Sequence, residues 1–320
     1  MAVGDGGGAG DEAGTLLPMP DILLLLPDFA LIALGYVICR YTMLDRPVWD
    51  SAEKLVYFLL FPCLLFNAIL RSPMRLDDMA SVGGVGLAIV GTGIVLAYAL
   101  AKAPGVDPLL HASGAQTAFR FNSYVALALS ERLAGAQGLA WQALLMAMCV
   151  PIANVAAVWP LARQGGHGYF KELAKNPLIV ATVAGLVGNL AGLQLPELAS
   201  ITLGRIGAAA LPLGLMAVGA GLRFGALRDG PWLAAGLMAI RHLALPVVGI
   251  TLAIALRLPP GQQAVIVAFS AMPTAASAYV LAARMGYNGG YVAGLVTLST
   301  MLGVLSLPFA LGVLKQVSAA

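Results

Sequence analysis

Two clusters of polar residues interrupt otherwise apolar stretches: Phe119-Arg120-Phe121-Asn122-Ser123, and Phe269-Ser270-Ala271-Met272-Pro273-Thr274. Around the first, Ser113, Gln116, Thr117, Arg120, Asn122 and Ser123 fall within eleven residues. These residue types bind anions rather than break bonds. Arg120 offers a full positive charge, Asn122 and Ser123 offer neutral donors, and Asn122 is suited to cap a helix N-terminus. Around the second, Pro273 removes a backbone donor and frees a carbonyl, and Thr274 and Ser277 follow with hydroxyls. Arg at bilayer depth costs a few kcal/mol on insertion scales and normally faces a cavity or a partner. The substrate-contact candidates are therefore Arg120, Asn122, Ser123, Pro273, Thr274 and Ser277. The blander alternative is that Pro273 kinks a helix and Arg120 snorkels to the interface.

The elements that must position these residues are membrane spans. The chain has 320 residues, 60% hydrophobic and 10% charged, against about a quarter charged in an ordinary soluble domain. Its long apolar runs place it in the all-α polytopic membrane class. Ten segments reach the length needed to cross a bilayer, about 20 residues: Asp21–Arg40, Ser51–Leu70, Asp78–Lys102, Leu110–Gly135, Gly138–Arg163, Pro177–Leu195, Ile201–Arg223, Pro231–Arg257, Pro260–Met285 and Gly289–Lys315. The polar interruptions fall in the fourth and the ninth.

Loop Lys and Arg set orientation. With the N-terminus outside, ten fall on the inner side: Arg40, Arg46, Lys54, Lys102, Arg163, Lys171, Lys175, Arg223, Arg228 and Arg284. Six fall on the outer side: Arg71, Arg75, Arg132, Arg205, Arg257 and Lys315. This favours both termini outside. Residues 1–20 form a Gly-rich acidic outer tail without the positive region of a cleavable signal, and 316–320 form a short outer tail. The inner connection Gln164–Asn176 separates 21–163 from 177–315.

The two parts echo each other. Pro27 and Pro177, Gly35 and Gly185, Pro62 and Pro212, and Phe119 and Phe269 all stand 150 residues apart. The offset later drifts by two, pairing Arg132 with Arg284 and Gly138 with Gly290. A duplicated unit with an odd number of spans must insert its second copy upside down. This is the inverted repeat of many secondary transporters, whose binding sites lie at paired broken helices. On that topology the half-helices after each interruption begin at one mid-membrane point, and two helix N-termini there suit a carboxylate.

Other polar residues are accessory. Arg241 and His242 lie about ten residues, or roughly 15 Å, into the eighth span. They pair with an anion or relay protons, or else lie near the headgroups. Asn67, Asn154 and Asn189 are single polar residues in the second, fifth and sixth spans, where interhelical hydrogen bonding is the commoner role. Gln116 and Asn67 join Arg241 as accessory candidates. Asp28 and Glu131 lie toward the outer face, Glu131 beside Arg132. His111 and His167 are expected in solvated inner loops. Cys39, Cys63 and Cys149 lie in apolar runs and read as buried small hydrophobes. No metal, nucleotide or hydrolase motif is found, so neither cofactor nor metal is expected. A net charge of +3 with no basic cluster excludes nucleic acid as a partner.

Several strings resemble the auxin efflux carrier family: FPCLLFNAIL in the second span, FNSYVALALSERLAGAQG in the fourth, LAKNPLIVATVAGLVGNLAGLQLP in the sixth, LPLGLMAVGAGL in the seventh, and FSAMPTAASAYVLAARMGYNGGYVAGLVTLSTML in the ninth and tenth. That family holds plant PIN-FORMED auxin exporters and bacterial-type permeases for small organic anions. The resemblance covers nearly all of the chain after residue 20. It implies ten helices as two inverted five-helix repeats. It also implies a scaffold (spans 1, 2, 6 and 7), a transport unit (spans 3–5 and 8–10), and broken fourth and ninth helices that cross at the substrate site. Asn122 matches the family's asparagine and Pro273 its second proline. Phe121 stands where the first proline would be, so auxin itself is not implied. The inner loop Gln164–Asn176 is short, as in bacterial members, so loop phosphoregulation is not expected.

The expected function is thus secondary active or facilitative transport of a small organic anion in the efflux direction. The expected mode is elevator-type alternating access in a cell inner (plasma) membrane, with a homodimer as the family's implication. A sodium-coupled symporter of the related bile-acid type is the alternative, using freed carbonyls with Gln116 and Asn122. An intramembrane enzyme lacks a nucleophile–base or metal motif. Met19 is a second candidate start. N-terminal sequencing of the native protein checks it, and a mature chain beginning upstream of Met19 rejects it.

Overall fold

The computed structural model describes residues 21–71, 76–162, 177–222, 227, 230–275, 277–284 and 286–319. The tail 1–20 with Met19, the connection Gln164–Asn176 with His167, Lys171 and Lys175, and Arg75, Arg163, Arg223 and Arg228 lie outside these residues.

The described chain is helical apart from turns and one isolated β-bridge. The helices are α1 (Asp21–Tyr41), α2 (Arg46–Arg71), α3 (Leu76–Ala99), α4 (Pro108–Gly114), α5 (Ser123–Ala162), α6 (Pro177–Leu190), α7 (Glu197–Ala220), α8 (Pro231–Ala255), α9 (Pro260–Ser270), α10 (Ser277–Arg284) and α11 (Gly289–Ala319). Their starts follow local chemistry. Pro47, Pro108, Pro231 and Pro260 open helices near the first position, where the missing N–H costs nothing. The Asp107 carboxylate caps α4 by accepting from the N–H groups of Leu109 and Leu110.

Among the described residues, six helices are long and apolar enough to cross a membrane, where the sequence pattern expects ten spans. The fourth span is split between α4 and the start of α5, and the ninth is split into α9 and α10. The fourth and fifth spans run on as α5, interrupted only at Ala134 and Gly135. Gly135 has φ 57° and ψ −144°, a conformation that side-chain-bearing residues rarely adopt. Large apolar side chains such as Val187, Trp232, Leu305 and Phe309 face outward, while Arg241, Gln116, Asn122 and Thr274 are buried. Apolar outside and polar inside is the pattern of a chain solvated by lipid.

The helices pack in two groups. In one, α1 lies on the second part of α7, while Phe61–Arg71 of α2 lies on α6 and the first part of α7. In the other, α5 packs on α3 and α9, α8 packs on α9, and α10 packs on α11. The closest approaches are backbone to backbone. A Cβ on Gly35 would sit 1.9 Å from the Met216 carbonyl oxygen, and one on Gly219 would sit 1.7 Å from that of Ile32. Asn189 donates from Nδ2 to the carbonyls of Ile69 and Leu70 at 3.0 and 3.1 Å, the interhelical role expected for it.

Two expectations need correction. His111 is buried, not solvated, because α4 begins at Pro108 and carries it a turn into the protein; a ring nitrogen lies 2.8 Å from the Ala97 carbonyl oxygen. Of the cysteines only Cys149 is buried; Cys39 and Cys63 are half-buried.

The α1–α7 contact predicts that Gly219→Ala lowers stability by about 1–3 kcal/mol through overpacking. Gly84→Ala, where a Cβ meets nothing within 4 Å, is the control. Thermal unfolding of the two variants checks it, and equal melting would show that α1 and α7 tolerate separation there.

Candidate functional site

The two interruptions meet. After Gly114 the chain makes a short 3-10 turn, Ala115–Ala118, and leaves helical geometry until Ser123 opens α5. After Ser270 it stays irregular through Ala275, before α10. Between them Phe121 and Thr274 form an antiparallel bridge. The Asn122 N–H donates to the Pro273 carbonyl at 2.8 Å, and the Ala275 N–H donates to the Arg120 carbonyl at 3.3 Å. Each break thus supplies partners to the other's backbone. In a region without water this replaces what a continuous helix would provide.

Side chains reinforce the pairing. Thr274 Oγ1 donates to the Thr117 carbonyl at 2.6 Å, and the Thr274 N–H donates to Ser299 Oγ of α11 at 2.9 Å. Phe121 and Phe269 meet edge to face, with ring centroids 4.6 Å apart. The Asn122 Oδ1 accepts from the N–H groups of Tyr124 and Val125 at 3.0 and 3.3 Å, so Asn122 caps α5 as its residue type predicts.

These contacts fix the orientation of the Asn122 amide. With Oδ1 held by two donors, Nδ2 must point the other way. It is buried and has no hydrogen-bond partner among the described residues. Such donors are rare in native proteins and call for an explanation. Beside it, Arg120 is half-buried; Nη1 donates to Gln116 Oε1 at 2.9 Å, and Nη2 to Ser277 Oγ at 3.2 Å. Ser277 is the first residue of α10. The guanidinium therefore links the first break to the start of the half-helix after the second. Tyr124, the second residue of α5, stacks on Phe61 of α2 at 4.9 Å, and Gly214 of α7 closes on both rings. This stack joins the breaks to the other helix group.

The structure brings together Arg120, Asn122, Pro273, Thr274, Ser277 and the accessory Gln116, with Ser123 the first residue of α5. It sets Asn67 apart: its Oδ1 accepts from Ser200 Oγ at 3.4 Å, between α2 and α7. Arg241 reaches the second break from behind. Its Nε donates to the Met272 carbonyl at 2.5 Å, and Nη2 to those of Phe269 and Ser270 at 3.2 and 3.1 Å. His242, read from the sequence beside Arg241, lies on Ser299 of α11; Phe61, Tyr124 and Ser299 belong to the surroundings but escaped the sequence reading. Serines and aromatics are common in spans, and no spacing marks which ones meet a break.

A second link lies at the start of α2. Arg46 pairs with Asp50 at 2.9 Å and Glu53 at 2.8 Å, and its Nη2 lies 3.4 Å from the Tyr279 hydroxyl of α10. No group of three or more potential metal ligands occurs among the described residues.

Apolar helices of this length and number are those of a multi-pass membrane protein. Residues 166–311 match the family model described as Membrane transport protein, in keeping with the auxin efflux carriers that the span motifs resemble. The chain is also 25% identical over 290 residues to an uncharacterized transporter of Methanothermobacter thermautotrophicus, covering 89% of this chain and 95% of that protein.

Replacing Thr274 by Val keeps the shape but strands the Thr117 carbonyl. A stability loss of about 1–3 kcal/mol is expected for a buried acceptor left unsatisfied. Thermal unfolding reads it, and a variant as stable as the parent would mean that the hydroxyl does not hold the breaks together.

Proposed function

We propose that this protein carries small organic anions, carboxylates, across a cell inner (plasma) membrane. It does so as a secondary active or facilitative transporter, in the efflux direction. The observation that carries the reading is the donor pair at the breaks. The buried Asn122 Nδ2 and the half-buried Arg120 guanidinium lie two positions apart, just before α5 begins, and Arg120 reaches the first residue of α10. Helix N-termini favour negative charge, and a carboxylate accepts from a guanidinium and an amide together. Ser123 and Ser277 add hydroxyl donors at the same two helix starts.

Several observations support ten spans arranged as two inverted repeats. On that plan the first span corresponds to the sixth and the second to the seventh. The packing of α1 on α7 then has its counterpart in the packing of α6 on α2. Gly35 and Gly185, equivalent by the 150-residue offset, lie in those two contacts. The group α1, α2, α6 and α7 would be the scaffold, and the group carrying the breaks would be the moving, elevator-like unit. Both termini lie outside on the loop-charge count.

Thermal unfolding of the purified protein with acetate, succinate, benzoate and indole-3-acetate, against choline and glucose, tests the reading. Ligands that bind the native state raise the melting temperature. At least one carboxylate should do so, and stabilisation by choline or glucose alone rejects an anion site. Arg120→Ala should weaken the best carboxylate about 10–100-fold, the loss of a charged hydrogen bond worth about 1.5–3 kcal/mol. Asn122→Asp keeps the capping oxygen but replaces the donor with negative charge. It should melt near the parent temperature and lose the carboxylate response; an undiminished response would remove Asn122 from the site.

A further inference from the structure

Arg241 has no carboxylate partner among the described residues, although it is 1% exposed. A buried guanidinium normally requires an anion, because desolvating the charge costs several kcal/mol. Its partners are instead the carbonyls of Phe269, Ser270 and Met272. These lie at and just beyond the C-terminal turn of α9, where the helix stops at Ser270. The last carbonyls of a helix lack intrahelical donors and carry the negative end of its dipole. Pro273 follows with no N–H of its own. The carbonyls at a broken helix end form the type of oxygen cage that holds a cation in transporters with discontinuous helices.

The geometry points to Arg241 as a tethered cation. We infer that its guanidinium fills that cage permanently and is the positioning residue that keeps the second break in shape. The surrounding helix is built for this. Arg241 and His242 lie in a π-helical turn of α8, Ile240–Ala244, an irregularity that recurs at functional sites. His242 reaches the far side of Pro273. One ring nitrogen lies 2.8 Å from Ser299 Oγ, which accepts the Thr274 N–H, and the other lies 2.8 Å from Ser306 Oγ. One turn of α8 therefore holds the carbonyls before Pro273 directly and the amide after it through Ser299. A carbonyl cage already filled by a side chain does not need a coupling ion to keep its form.

The test needs no substrate, so its result stands apart from the anion reading. Arg241→Met removes the charge at similar length, and Arg241→Lys keeps the charge with fewer donors. Melting temperatures should fall in the order parent, Arg241→Lys, Arg241→Met. Hydrogen–deuterium exchange over 269–275 should rise at least tenfold in Arg241→Met and less in Arg241→Lys. Gly219→Ala, destabilised elsewhere, should leave exchange at 269–275 unchanged relative to its surroundings. Millimolar guanidinium chloride should raise the melting temperature of Arg241→Ala and not that of the parent. Equal melting and exchange of the Met and Lys variants would overturn the inference. So would guanidinium acting alike on Arg241→Ala and the parent. If Arg241→Ala does not fold, the Met–Lys comparison decides alone.

Discussion

Backbone groups in a lipid-solvated protein have to find partners inside the protein, and every other feature of the site follows from how two broken helices meet that demand. The bridge between Phe121 and Thr274 is minimal: two backbone hydrogen bonds, from Asn122 to Pro273 and from Ala275 to Arg120. Neither break could persist alone at membrane depth, since each would leave donors and acceptors unsatisfied at several kcal/mol apiece. Together they meet part of that demand, and α5 and α10 start close to the bridge in sequence. The positive ends of α5 and α10 are a by-product of that pairing.

What the bridge leaves unsatisfied is closed from three sides. Asn122 caps α5, Arg241 closes the carbonyl end of α9, and Ser299 takes the Thr274 amide. After all of these, the Asn122 amide still has a buried donor without a partner among the described residues. Arg46 Nη1, Trp141 Nε1 and Gln142 Nε2 are in the same position elsewhere, but only the Asn122 donor lies at the bridge, and such a donor calls for an explanation. The Arg120 charge lies at the rim, half-buried, while that of Arg241 is sealed inside. The arginine of the first break and the arginine behind the second thus differ in depth and in partners.

The relation between the helix groups depends on small residues. Gly35 and Gly219 bring α1 and α7 into backbone contact, and Gly185 does the same more loosely for α6 and α2. Contacts across to the breaks include an aromatic stack between Phe61 and Tyr124 and a polar link from Arg46 to Tyr279, beside helix packing of α2, α6 and α7 on α5.

Composition and hydropathy alone determined the class, because only helices can carry so apolar a chain through lipid. Two sequence signals located the breaks: Arg120 and Asn122 where lipid forbids them, and Pro273 where a helix cannot continue. The capping role of Asn122 was also legible, since it depends only on neighbours in the chain. Pairing was not. That Phe121 faces Thr274, that Ser299 receives its amide, and that Arg241 binds carbonyls rather than an anion depends on contacts between residues from 25 to more than 150 positions apart. A periodic pattern reports which side of a helix is apolar but not what lies across from it. His111 shows the same limit, for its burial is decided by where α4 starts and what α3 brings beside it. The sequence determined which residues were out of place in lipid; only the tertiary structure decided what each of them meets, because an unsatisfied group is defined by its partners.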